Sequence, residues 1–143
     1  MNKYISGITK PMILLSIFIV SGCASGMLYN EAAQTIPTLA SDKGRVYIYR
    51  VTTFGTAVQP AVNVNGREEG RAKPVGFFFV DLDPGTHSVS TTKGTQITLY
   101  ITENQEHYVR LEMEMGLFAG TVQPVVVDNS VGELEIRKTR YDP

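Results

Sequence analysis

At 143 residues, with 13 basic and 14 acidic side chains, the chain is long enough for one domain with a real core and too short for two. A single cysteine rules out an internal disulfide and a cysteine-based metal site, and two histidines leave few other soft ligands. A weakly acidic chain without a basic run is a poor polyanion binder, so nucleic acid is not an expected partner.

Residues 1–10, MNKYISGITK, carry Lys3 and Lys10 and no acid, and residues 11–20, PMILLSIFIV, form an apolar run closed by small residues. That is the plan of a secretory leader, and the run is about half the ~20 residues a membrane span requires. Val20-Ser21-Gly22-Cys23 resembles a bacterial lipobox. The resemblance implies a diacylglycerol thioether on Cys23, cleavage before it and an acyl chain on the freed amine; no other cofactor and no metal are expected of the chain. Ala24, rather than Asp, follows the cysteine. In a Gram-negative cell this implies an outer-membrane anchor with the domain facing the periplasm. Two or three acyl chains hold a protein durably, since each buried CH₂ contributes about 0.8 kcal/mol. Removing residues 1–22 leaves 121 residues with 11 basic and 14 acidic side chains, a net charge of −3.

Residues 23–43 show no sustained period around Pro37 and read as a flexible tether with one short helical turn near Tyr29–Ala33. The folded body is expected over 44–143. RVYIYRVTTF is dense in β-branched and aromatic residues, with Val46, Ile48 and Arg50 on one face and Tyr47, Tyr49 and Val51 on the other, which suits a central strand. Val62 and Val64 alternate with Asn63 and Asn65, and Asn65-Gly66 predicts a tight hairpin. Pro60 places the start of that strand at an edge or a bulge. GFFFVDL is extended, Asp83-Pro84-Gly85 turns, THSVS leaves, Lys93-Gly94 turns, and TQITLYI alternates up to a turn at Asn104-Gln105. In EHYVRLEMEM, Val109, Leu111, Met113 and Met115 share the inward face. GLFAG is a loop and VQPVVVD a last strand. Ser130 to Glu133 has capping-box form, predicting a short C-terminal helix with Val131 and Leu134 on one face; alternation of Leu134 and Ile136 keeps a strand as the alternative.

About seven short strands separated by turns predict a mainly β fold, an antiparallel β-sandwich with a short C-terminal helix. Val46, Ile48, Val62, Val64, Phe77, Phe79, Val89, Ile97, Leu99, Val109, Leu111 and Met113 are its expected core. The order of RVYIYR, VNVNG and DLDPGTHSV resembles a predicted-lipoprotein domain family of unknown function that shares a Tyr-x-Tyr-Arg strand and a Pro-Gly-x-His turn. Tyr47, Tyr49, Arg50, Gly66, Pro84, Gly85 and His87 match it. The same order resembles the small Pro-Glu-Gly-Ala surface domains, which are β-sandwiches. Neither resemblance brings an activity with it.

No nucleophile elbow, phosphate loop or carboxylate pair stands out, and the reading is not that of an enzyme. His87 is expected to orient the turn it follows. Arg50 shares a face with Val46 and Ile48, so its charge must reach the rim or meet an acid such as Asp81 or Glu112, unless it contacts a ligand or partner. Phe78, one of three consecutive aromatics, points away from the expected core, covered by the tether or helix or else open for binding. Leu117 and Phe118 stand at a loop tip. The leading expectation is a lipid-anchored module that binds or assembles with an envelope protein. A small-ligand carrier or sensor with a pocket at Arg50, Tyr47 and Tyr49 is the alternative, and a secretion-system lipoprotein is the third.

Overall fold

Every residue of Gly44–Tyr49 is buried, because this strand has neighbours on both edges and layers on both faces. The computed structural model describes residues 26–117 and 119–143, so the expected leader, the expected lipidation site Cys23 and Phe118 lie outside the described residues. In chain order the elements are β1 (Met27–Leu28), α1 (Tyr29–Ala32), β2 (Gly44–Tyr49), β3 (Ala61–Val64), β4 (Arg67–Arg71) and β5 (Gly76–Leu82). They continue with β6 (Gly85–Thr91), β7 (Gln96–Ile101), β8 (Glu106–Met115), β9 (Gly120–Val127), α2 (Asn129–Ile136) and β10 (Arg140–Tyr141). One sheet runs β1-β10-β5-β2-β8-β9 and the other β4-β3-β6-β7. The helices cover the outer face of the larger sheet, giving three layers.

The sandwich and the C-terminal helix agree with the sequence, and β2 is central as its two apolar faces require. The larger sheet is mixed rather than antiparallel: β2 pairs with β8, and β5 with β10, in parallel. Ten strands occur among the described residues, because two-residue strands at both ends and the charged β4, REEGR, add to the expected seven. Asn65 and Gly66, both at positive φ, turn β3 into β4 as their residue types demand. The Asp83-Pro84-Gly85 turn carries the chain from one sheet to the other, from β5 to β6.

Two apolar layers result. Val46, Ile48, Val62, Val64, Val89, Leu99, Val109 and Leu111 fill the space between the sheets, with Ile97 and Met113 at its margin. Phe78 joins them, at 5% exposure, while Phe77 and Phe79 lie on the outer face, against the helices. This reverses the assignment for the three phenylalanines. Alternation gives two sets of side chains, but when both faces of a sheet are buried it does not say which set meets the second sheet. Met115, expected inside, is 67% exposed where β8 outruns the core.

The expected tether is a docked segment over much of its length. β1 pairs with β10, Ala32 is fully buried, and Tyr29 and Ile36 pack with Phe77, Tyr108 and Ile136. The helical turn lies where the sequence places it. At the other end, α2 starts from Asp128 with no side-chain cap, so Ser130 and Glu133 form no capping box. Gly132 and Ile136 are its buried residues, whereas Val131 and Leu134 are solvent-facing. Gly132 allows the helix to lie directly on β8, since a Cβ there would overlap the Tyr108 side chain.

Candidate functional site

Arg50 leaves β2 on the side of Val46 and Ile48 and enters the interior, where it is fully buried. Its Nη1 donates to the carbonyls of Val58 and Ala72 at 2.8 and 3.0 Å, and its Nη2 to those of Phe54 and Gly55 at 2.5 and 3.1 Å. Nε has no hydrogen-bond partner. Neither expected acid reaches it: Asp81 binds Arg45 and Glu112 binds Arg110. Burial lowers the pKa of the guanidinium. Arg50 therefore gathers the 54–58 loop and Ala72, the residue that follows β4, by their carbonyls, and its side chain is closed to a ligand.

Tyr47 and Tyr49 point to the opposite face, so no pocket joins them to Arg50. Both are buried beneath the helices. Tyr47 donates to Glu106 at 3.2 Å, Tyr108 to the same carboxylate at 3.0 Å, and Tyr49 to Glu135 at 2.7 Å. Burial is the main cause that pushes the Tyr47 hydroxyl up to about 12, and it raises Tyr49 and Tyr108 further. Arg110 bridges Glu112 and Glu135, pinning α2 to β8. Arg45 is likewise buried, forked onto Asp81 at 2.6 and 2.8 Å, donating to Pro37 O at 2.9 Å and lying 4.2 Å from the Phe79 ring centre. Sequence reasoning missed this residue, although an Arg on an aromatic strand opposite an Asp two residues past Phe79 was visible.

His87 links two turns. Its Nδ1 meets the Asn65 amide at 2.8 Å, its Nε2 meets Asp83 O at 2.8 Å, and Asn65 Oδ1 accepts from Ser88 N–H at 3.1 Å. With Asn65 Nδ2 donating, Nδ1 accepts and Nε2–H donates. Asp83, free of a role at His87's ring beyond its carbonyl, pairs with Lys43 at 2.5 Å. His107 Nε2 accepts from Thr102 N–H at 3.1 Å, closing the β7–β8 turn.

Arg45, Tyr47 and Glu106 line a cleft of about 340 Å³ beside Ile36 and Pro37, and a larger one of about 630 Å³ opens at one end of the sandwich. Ala57, Val58, Pro60, Ala61 and Val122 give it an apolar wall, and two cations border it, Lys93 and Arg71, the latter 3.7 Å from Glu68 and donating to Gln59 O at 3.1 Å. Val58 is the residue whose carbonyl Arg50 grips, so the buried guanidinium fixes a wall of the cleft without entering it. Ala119 and Gly120 also line it, at the base of the β8–β9 loop, where Leu117 is 97% exposed.

These features define a two-sheet β domain with a helical layer, an internal cationic brace and an open cleft at one end. The chain belongs to a family described as protein of unknown function (DUF2846), whose model matches residues 40–125, from the lead-in to β2 through most of β9. It is also similar to an uncharacterized protein of Haemophilus influenzae, 24% identical over 136 residues that cover 90% of this chain and 81% of the relative.

Proposed function

We propose that this is a lipid-anchored protein of the cell envelope, held through acylated Cys23, whose domain binds a protein partner and carries out no catalysis. In a Gram-negative cell the anchor would lie in the outer membrane and the domain in the periplasm. The lipobox-like Val20–Cys23 supports the anchor. The observation that carries the binding role is Leu117, almost wholly exposed beside the cleft that Ala119 and Gly120 line. An apolar side chain held out on a hairpin tip next to a concave apolar wall suits insertion into a partner, with the partner's own segment entering the cleft.

In-cell crosslinking with mass spectrometry tests this, comparing wild type with Cys23→Ala and Leu117→Ser. A protein captured by the wild type and lost from both variants is the expected result. Capture unchanged by Leu117→Ser would remove the hairpin tip from the interface.

A second reading rests on the cleft's size, which falls in the range of small-molecule sites, about 300–1,000 Å³. Its apolar wall and two cations suit an amphipathic anion. A ligand of that class would raise the melting temperature of wild type and raise it less in Arg71→Ala or Lys93→Ala.

A further inference from the structure

The N-terminal strand limits how far the domain can stand from a lipid on Cys23. Gly26 is wedged against the C-terminal segment: a Cβ there would overlap the Tyr141 carbonyl, and Arg140 Nη1 donates to Gly26 O at 3.2 Å. Met27 and Leu28 then pair with Tyr141 and Arg140. Two residues, Ala24 and Ser25, separate Gly26 from Cys23, and three steps of extended chain at no more than about 3.5 Å each would keep an acyl chain on Cys23 within about 10 Å of Gly26.

The surface around that point has the composition that a lipid interface accepts. Met27 and Leu28 are 42% and 48% exposed at the sheet edge. Gly26, Thr56, Lys73 and Arg140 line one shallow cleft, and Phe54, two residues before Thr56, is 58% exposed. Lys73 pairs with Asp142 at 2.6 Å, whereas Arg140 is engaged by a carbonyl, so positive charge remains on a chain that is acidic as a whole. Apolar side chains flanked by cations, beside an acyl anchor, match the headgroup–acyl boundary of an anionic bilayer.

We propose that the β1–β10 edge, with Phe54, is a membrane-seating surface that rests the domain on the bilayer in one orientation. This rests on the anchor reading given above. The strand orders place β7 and β9 at the opposite edge, which then faces away from the lipid. Gln59 lines both the small cleft and the larger one, whose far wall is formed by β9, so the larger cleft runs from the seated side toward the free edge.

The test uses full-length acylated protein in vesicles of phosphatidylethanolamine and phosphatidylglycerol. An environment-sensitive dye is placed on Leu28→Cys or, on the far edge, on Tyr100→Cys; Tyr100 is 68% exposed. Phe54→Cys serves in place of Leu28→Cys should that variant fail to fold. The expected result is at least twofold quenching by brominated lipid at the near position and none at Tyr100→Cys. Acylated protein whose near label stays unquenched, or whose two labels are quenched alike, overturns the seating while leaving the anchor intact. Absence of the acyl mass on Cys23 overturns the anchor and the seating together.

Discussion

A guanidinium with no carboxylate beside it is an uncommon thing to bury, and Arg50 endures it by being surrounded with carbonyls. Four backbone carbonyls share its two Nη groups, and of these only that of Gly55 has a backbone donor as well among the described residues, from Val58 N–H. Arg50→Met should cost about 2–4 kcal/mol, because the transfer gain of an apolar stem does not offset several orphaned carbonyls. Urea unfolding checks this, and Arg50→Lys should recover only part of the loss, since an ammonium cannot span the same fork. The sequence shows that a charge on the Val46–Ile48 face must be neutralised or bonded. It cannot show by what, because a carbonyl acceptor has no residue type. The same blindness explains the misassigned Asp81: its true partner, Arg45, lies opposite it in register on β2, on the face away from Arg50.

Among the elements, α2 is the one whose existence the sequence marks and whose orientation it misleads on. A Ser–Glu pair at capping spacing and two apolar residues three apart point to the wrong start and the wrong face. The decisive residue is the one without a side chain. Gly132 in an exposed helix would gain up to about 1 kcal/mol on replacement by Ala. Here a Cβ would collide with the Tyr108 side chain, so Gly132→Ala should instead destabilise by about 1–3 kcal/mol, read as a lower urea midpoint. A stabilised variant would mean that α2 does not rest on β8. The β elements were more legible, since alternation and turn residues such as Asn65-Gly66 act within a few positions. Which face met the second sheet was not, because β2 and β5 are apolar on both sides, and that is how Phe78 came to be placed outside and Phe77 inside.

At the scale of the whole molecule, the structure turns a tether into part of the body. Tyr29, Ala32 and Ile36 pack on Phe77 and Tyr108, and Pro37 O receives Arg45, so a chain beginning at Thr38 should lose about 2–4 kcal/mol of stability. A melting temperature unchanged by that truncation would restore the tether. The segment escaped sequence reading because one short helical turn and a two-residue strand carry too few residues for either periodicity to register. The candidate cleft escaped for a different reason: Val58, Arg71, Lys93 and Ala119 are far apart in the chain and meet only when the sheets stack.

The parallel pairing of β2 with β8 has a consequence in time. A chain made or threaded from its N-terminus delivers β2 early, yet the strand that covers one of its edges arrives some sixty residues later. The last edge waits longer still, since Gly26 meets Arg140 across 114 positions. Contacts so distant in sequence form slowly, because the entropy of closing the intervening loops is lost before any packing is gained. The domain should therefore remain loose until nearly all of it has been delivered and then close late and cooperatively.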